Sequence, residues 1–357
     1  MATALTRKTS DDHRAPAPAA APGVLLDAAG NPAPQAPLLA GWTPAPFAAS
    51  HGAAAPGEAP AMSGWVDLGP AAALRVTGPD RETWVQGVQS NDVKSAAVGG
   101  AVYALFLGSR GRVVADGHVF RFPKELVLTT RADRLPALHE HLDKLLIMED
   151  AELSRAEGLH RLRWVPGGAP LSARAAASPD VAAALEGVRG TPDALGFEVL
   201  ADDATAQRLL AALPERADAV ALEALRLWRG VPAWGADFDA EATPLEAGLD
   251  RALSFNKGCY VVQEVVAMAT FRGRVQWNLV RLIVEGAPPA AGSALDPARP
   301  GKGKVTSAVQ AGGQALLLGV VHRDKIVPGS QVPLADGRMA TVLGLPYESR
   351  PGAGVCA

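Results

Sequence analysis

Apolar positions recur in short, regular runs from Trp65 onward, and these runs predict the elements. Asp67-Leu68 and Leu74-Arg75-Val76 read as short strands. Pro79 opens a helix, with Asp80 and Glu82 in its first turn, where they complement the helix dipole. Its apolar positions Trp84, Val85 and Val88 share one face. Residues 101–107, 113–122 and 126–130 read as strands. Leu135, Leu138, Leu142 and Leu145 then recur at three- and four-residue steps, the mark of an amphipathic helix. Another strand follows at 151–153.

The second half repeats the mixture. Residues 162–165 and 195–200 read as strands, 204–213 and 219–228 as helices, the latter with Leu222 and Leu225 inward. Residues 230–243 are rich in Gly, Pro and Asp and predict a long loop of the kind that carries function. Val261, Val265 and Met268 give 258–270 helical spacing. After Gly273 the pattern changes to strand-like runs at 275–284, 304–308, 315–322 and 339–345, punctuated by Gly and Pro. That predicts a small antiparallel barrel.

The chain has 357 residues, enough for two to three domains at about 150 residues each. Residues 1–60 hold 10 of the 29 prolines, so the N-terminal segment predicts a disordered or extended tail. Asp11 and Asp12 interrupt it where a secretory signal would be apolar. The composition is 48% hydrophobic and 20% charged, with a net charge of −3. Non-specific nucleic-acid binding by bulk charge is therefore not expected. No apolar run approaches the roughly 20 residues of a membrane span. The two cysteines, Cys259 and Cys356, exclude a disulfide scaffold and a self-sufficient Cys-ligated cluster. The expected setting is cytoplasmic.

Common catalytic motifs fail on spacing. Gly108-Ser109-Arg110-Gly111 is not a nucleophile elbow, and Gly301-Lys302-Gly303-Lys304 is too short for a phosphate loop. His139 and His141 face different directions on their helix, and no metal site is expected. What remains is Lys257-Gly258-Cys259-Tyr260-Val261-Val262-Gln263-Glu264, read as a loop-to-helix junction. There, helix-start amides and Lys257 favour a thiolate at Cys259; the alternative is a buried Cys that only packs. Between Asp250 and Arg281 five basic residues face two acidic ones, which suits an anionic ligand.

This stretch resembles the Lys-Gly-Cys-Tyr-x-Gly-Gln-Glu signature of the YgfZ-type proteins, folate-binding relatives of the glycine cleavage T-protein (aminomethyltransferase). Gln86-Gly87-x-x-Ser90-Asn91-Asp92-Val93, Gly111-Arg112-Val113-Val114-Ala115-Asp116 and 146–153 are similar to further family segments. So are Gly230-Val231-Pro232, Pro244-Leu245-Glu246-Ala247-Gly248-Leu249 and Phe271-Arg272-Gly273-Arg274-Val275. The resemblance covers about residues 65–345. It implies an α+β fold of two ferredoxin-like modules and a C-terminal antiparallel β-barrel around a central folate-sized cavity. The expected boundaries are 1–62 for the tail, 63–155 and 156–272 for the modules, and 273–357 for the barrel.

The resemblance also implies function. It points to a tetrahydrofolate-binding accessory protein for iron–sulfur cluster assembly or repair and for cluster-dependent tRNA modification. The partners would be a folate and iron–sulfur client proteins, with no direct nucleic-acid or membrane contact, and the protein would act as a monomer. Candidate catalytic residues are Cys259 and Lys257. Candidate folate contacts are Asn91, Asp92, Trp228, Glu246, Tyr260, Arg272 and Arg274. Turn capping is the alternative for Asn91 and Asp92, a solvated strand face for the two arginines, and a structural role for Glu246, as for Lys304, Thr306 and Ser307.

Three positions depart from the family. Ala115 stands where T-proteins carry the catalytic Asp, and an Ala offers no general base, which leaves enzymatic activity open. Asp116, one residue on, points to the opposite face of the strand. Trp228 stands where a Glu meets the pterin; it can stack but cannot accept N–H groups. Val262 replaces the signature's Gly. Besides the accessory role, the residues leave open a folate-dependent aminomethyl or one-carbon transferase and a folate-free binding scaffold.

Overall fold

The computed structural model describes residues 63–165, 171–186, 188–271, 275–299 and 301–346. The expected tail at 1–62, Arg272, Arg274 and Cys356 lie outside the described residues. The first stretch runs β1 (Gly64–Pro70), β2 (Ala72–Thr77), α1 (Arg81–Val88), β3 (Ala101–Leu107), β4 (Val113–Arg121), β5 (Leu126–Thr130), α2 (Leu135–Asp143) and β6 (Glu152–Ala156). These bounds follow the apolar pattern closely. The predicted stripes are the buried ones: Trp84, Val85 and Val88 on α1, Leu138 and Leu142 on α2. They pack on Leu74, Phe106, Val119 and Leu128 of the sheet. Each such side chain contributes about 1.5–3 kcal/mol by leaving water.

That sheet is antiparallel with strand order β3-β4-β5-β2-β6. The β4-β5-β2-β6 part has the order of a split β-α-β unit, with β3 added at the edge. The next stretch is β7 (Leu159–Val165), α3 (Leu171–Ala177), α4 (Pro179–Leu185), β8 (Arg189–Pro192), β9 (Phe197–Asp202), α5 (Asp203–Ala212) and α6 (Ala219–Arg229). Its sheet has the order β1-β7-β9-β8. The last place in this second unit is thus filled by β1, from before the first unit, running antiparallel to β7 with Trp65 opposite Trp164. The two rings lie edge to face with centroids 5.2 Å apart, inside the second core. Helices α3 and α4 and strand β8 carry too short an apolar signal to be read from the sequence.

Helix α6 is well specified. Asp218 accepts the Ala221 N–H at 2.8 Å at its start, and Gly230 ends it in the left-handed region at φ 71°. Gly230 is also required by space, because a Cβ there would lie 2.4 Å from Arg281 Cδ. The long loop predicted after α6 is present and runs to α7 (Gln263–Phe271). The helix predicted from residue 258 begins five residues later, and the reason lies in Val262, below.

The C-terminal sheet contains β10 (Trp277–Glu285), β11 (Lys304–Ala311), β12 (Gln314–His322), β13 (Gln331–Pro333) and β14 (Met339–Gly344), in the order β11-β12-β10-β14-β13, all antiparallel. Among the described residues these strands pair as a ladder whose edge strands β11 and β13 do not pair with each other, so the closed barrel expected from the sequence is not seen in the pairing. A short irregular segment meets both edges: Leu295 N bonds Gly303 O at 3.1 Å, and Asp296 N bonds Pro333 O at 2.8 Å. No described helix is long and apolar enough to cross a membrane. The architecture is a mixed α/β fold with several antiparallel sheets.

Candidate functional site

The Cys259 loop is fixed by Lys257. Its Nζ donates to the carbonyl oxygens of Gln86 and Gln89 at 2.5 Å and Asn91 at 2.7 Å. An ammonium has three donors, so all are committed. The side chain is 9% exposed, and Nζ sits 4.7 Å from the centre of the buried Tyr260 ring. Burial drives its pKa down to about 7, against the pull of Asp92. Lys257 thus works as an anchor between the loop and the end of α1, not as a free charge.

Cys259 is exposed and unbridged, the free thiol among the described residues. The alternative of a buried packing residue does not hold. Nor does the expected placement at a helix start: Cys259 precedes Gln263, the first residue of α7, by four positions. The dipole field of a helix fades within its first turn. What stops the helix earlier is Val262, whose φ is 67°. A β-branched residue in the left-handed region is strained by roughly 1–2 kcal/mol. The signature's Gly would adopt it freely. The bend persists because it is held on both sides: Val261 N bonds Gly87 O at 3.0 Å, and Gln263 N bonds Tyr260 O at 3.1 Å.

Asn91 and Asp92 tie their turn to the elements around it. Asn91 Nδ2 donates to Tyr103 O at 2.8 Å, and its Oδ1 accepts the Asp92 N–H at 2.9 Å. Asp92 Oδ1 accepts from Gln86 Nε2 at 2.8 Å. Ser90 completes the stitching by donating to Ala252 O at 2.6 Å. The segment at 86–93 is therefore the joint between α1, β3, the central loop and the Cys259 loop.

Trp228 is 8% exposed and packs with Leu227, Leu279, Leu316 and Leu318, between α6 and the C-terminal sheet. Glu246 forms reciprocal bonds with Thr243: the hydroxyl donates to Oε2 at 3.0 Å, and the Glu246 N–H reaches the hydroxyl at 3.4 Å. Its Oε1 accepts from Lys302 Nζ at 3.1 Å. Burial raises the Glu246 pKa, but Lys302 and Thr243 outweigh it and hold it below the ordinary value.

Thr306 and Ser307 belong to a buried network that fixes the central loop. Asp237 accepts from Thr306 Oγ1 at 2.5 Å, Ser307 Oγ at 2.8 Å and Arg226 Nη1 at 2.6 Å. Two consecutive hydroxyls reach one carboxylate because β11 shifts register against β12 between Val305 and Ser307. Arg226 also bonds Glu223 and Ser307.

A second polar cluster, which no sequence motif marks, lies on the face of β4 that carries Asp116. Ala115 is fully buried in the first core. Asp116 Oδ2 accepts from the Tyr103 hydroxyl at 2.8 Å. Its Oδ1 is buried with no partner among the described residues. Burial raises its pKa, against the Tyr103 bond. Two positions along β4, His118 Nδ1 lies 3.5 Å from Glu198 Oε1. Glu198 is fully buried and also takes Arg161 at 2.8 Å and Arg163 at 2.7 Å. Burial alone would raise the Glu198 pKa; His118 and the two guanidiniums hold it far below the ordinary value instead. His118, Asp193 and Glu198 bring possible metal-binding atoms together. Arg163 already bridges the two carboxylates, so the charge a cation would supply is present. The alternation of β4 was the available signal: Ala115 inward puts Asp116 and His118 together on the other side.

The GCVT N-terminal domain family matches residues 59–156. The mitochondrial iron–sulfur cluster assembly factor IBA57 homolog of Mycosarcoma maydis is 28% identical over 249 residues, 64% of this chain and 59% of that protein. The tRNA-modifying protein YgfZ of Klebsiella pneumoniae is 28% identical over 281 residues, 71% of this chain and 84% of that protein. The aligned chain thus spans less than two thirds of the first of these relatives. The crystal structure of aminomethyltransferase T from Bartonella henselae superposes with a TM-score of 0.66 at 20% identity, over 82% of this chain and 88% of that one.

The expected cytoplasmic setting is corrected by these relatives. The assembly factors similar to this chain are mitochondrial, which points to an organelle. Few cysteines and a soluble composition describe an organellar matrix as well as a cytoplasm, so composition did not separate them. The matched N-terminal domain and the two kinds of relative support a YgfZ-type protein of the glycine cleavage T-protein superfamily, and the shared fold agrees with it.

Proposed function

We propose that this protein assists iron–sulfur cluster assembly by presenting Cys259 as one ligand to a cluster that a partner protein also holds. The observation that carries the reading is an exposed thiol on a loop anchored by three bonds from one buried lysine. A single thiolate cannot hold a cluster alone, so the remaining ligands come from the partner. The names of the IBA57 relatives support this, and that of the YgfZ relative supports an effect on tRNA modification through cluster-dependent enzymes. The test is restoration of cluster-dependent enzyme activities in cells lacking the protein. Wild type should restore them and Cys259→Ser should not; equal restoration would overturn the reading.

The fold family implies a tetrahydrofolate as cofactor, and the residues fit it at one point. Asp116 Oδ1 is a buried acceptor without a donor among the described residues, and Tyr103 holds the other oxygen in place. We read Asp116 as the group that meets folate N–H atoms, the part a Trp at position 228 cannot play. The bound folate would supply a one-carbon carrier. Arg272 and Arg274 are proposed to hold its anionic tail. The segment at 293–296, bonded to both edges of the C-terminal sheet, supports reading that sheet as the family's barrel. Anaerobic calorimetry with tetrahydrofolate tests the site. Micromolar affinity weakened by Asp116→Asn supports it, and no binding near millimolar folate overturns it.

One observation favours folate-dependent one-carbon transfer as the second reading: Asp116 is held by the Tyr103 hydroxyl while its other oxygen is buried and unbonded among the described residues, a carboxylate free to accept a proton. Turnover of an aminomethyl donor with tetrahydrofolate, lost in Asp116→Asn, would establish it.

A further inference from the structure

The loop between α2 and β6 holds two large apolar side chains in water. Ile147 is 80% exposed and Met148 90%. The backbone beneath them is fixed. The Glu149 carboxylate accepts the N–H of Ile147 at 3.2 Å and of Met148 at 3.1 Å. Asp150 N donates to Asp80 Oδ2 at 2.8 Å, and Asp80 N to Asp150 O at 3.1 Å. Behind the loop, Trp84 Nε1 donates to Leu145 O at 3.2 Å. Gly78 packs so closely that a Cβ there would lie 2.4 Å from Asp150 O. A pair held in this way gives up little freedom when it is covered.

The surroundings select what covers it. Asp143, Glu149, Asp150 and Glu152 are all exposed. The adjacent Lys144 is paired with Glu140 at 2.6 Å. The rim is therefore acidic, which repels anionic lipid and nucleic acid alike. Apolar centre and charged rim together are the anatomy of a protein interface.

We propose that Ile147 and Met148 form a docking knuckle for a partner protein that presents an apolar helix face flanked by Lys and Arg. The proposal stands independently of the folate and cluster readings, because the knuckle shares no residue with either.

The test uses the full chain, labelled at Ile δ1 and Met ε methyl groups, titrated with a synthetic amphipathic Leu/Lys helix of about five turns. A Leu/Glu helix of the same length is the control. Ile147 and Met148 methyls should shift saturably with the Leu/Lys probe and not with the Leu/Glu probe. Met339, 48% exposed on β14, should not move. Replacing both knuckle residues, Ile147→Ser with Met148→Ser, should weaken binding about tenfold or more. Asp143→Lys with Glu152→Lys should weaken it too, while both double variants keep the wild-type melting profile. Unmoved knuckle methyls, or equal binding of the Leu/Glu helix, would overturn the proposal. So would shifts that appear on concentrating the protein alone, which would assign the face to a second copy.

Discussion

Lys257 Nζ reaches the carbonyl oxygen of Gln86 at 2.5 Å, across 171 positions of sequence. This bond and its two companions carry the exposed Cys259 loop on the end of α1. The loop's position is therefore a property of the first unit's core as much as of the loop itself. Removing the ammonium takes its donor from the Gln86 and Gln89 carbonyls, roughly 1–3 kcal/mol each, while Asn91 O keeps a bond from Gln89 Nε2 at 2.5 Å. Lys257→Met should destabilise the protein by about 2–4 kcal/mol in urea denaturation. A change below about 0.5 kcal/mol would remove the anchor from the account.

The same lysine sets a pH dependence. Its folded pKa, about 7, lies below its ordinary 10.5, so the charged form is the one the fold penalises. Below pH 7 the lysine is charged both folded and unfolded, and the penalty is full. Between about 7 and 10.5 the unfolded chain binds more protons, so this group's contribution to stability rises with pH. The urea midpoint of wild type relative to Lys257→Met should increase from pH 6.5 to pH 9. A flat difference would contradict the burial of the charge.

Val262 offers a test of strain. Val262→Gly relieves the left-handed cost but loses packing and gains unfolded-state freedom, so the net change should stay within about 1 kcal/mol. Val262→Ala keeps the strain and loses the packing, and should cost about 1–2 kcal/mol. Thermal melts should rank glycine above alanine, the reverse of ordinary helical preference.

Most of the elements were legible in the sequence because their stripes and alternation are local. Leu138 and Leu142 mark α2 without reference to anything distant, and so do the runs of β3 and β5. The strand β1 was visible, but its partner was not, since pairing with β7 is decided by which sheet lacks an edge. The site was half legible. The Lys-Gly-Cys-Tyr stretch and the Gln86–Val93 segment stood out, yet nothing in either announces that one lysine joins them. The late start of α7 depends on one backbone angle at Val262. Asp116 carries no local signal, because its face of β4 gains meaning only when the second sheet supplies Glu198 and two arginines.

The Asp237 network should be the weak point of the central loop. Asp237→Ala leaves Arg226 buried without its main counter-charge among the hydroxyls of Thr306 and Ser307. The expected cost is about 3–5 kcal/mol in chemical denaturation, because an uncompensated buried charge is expensive. A loss under about 1 kcal/mol would show that Glu223 alone satisfies Arg226.

Glu198 should govern acid sensitivity. Its folded pKa is depressed, so its contribution to stability is present above the ordinary value of 4.5 and is lost as pH falls below it. Wild type should lose stability steeply below about pH 4.5, and Glu198→Gln should start less stable and show a shallower acid slope. Parallel slopes would contradict the pairing with His118, Arg161 and Arg163.

The central claim, that Cys259 supplies a cluster ligand, is tested most directly by anaerobic reconstitution of the full chain with ferric iron, sulfide and glutathione as the surrogate co-ligand. Visible circular dichroism and Mössbauer spectra would follow the product. Wild type and Cys356→Ser should acquire a cluster signal, and Cys259→Ser should not. The same cluster in Cys259→Ser as in wild type would contradict the account.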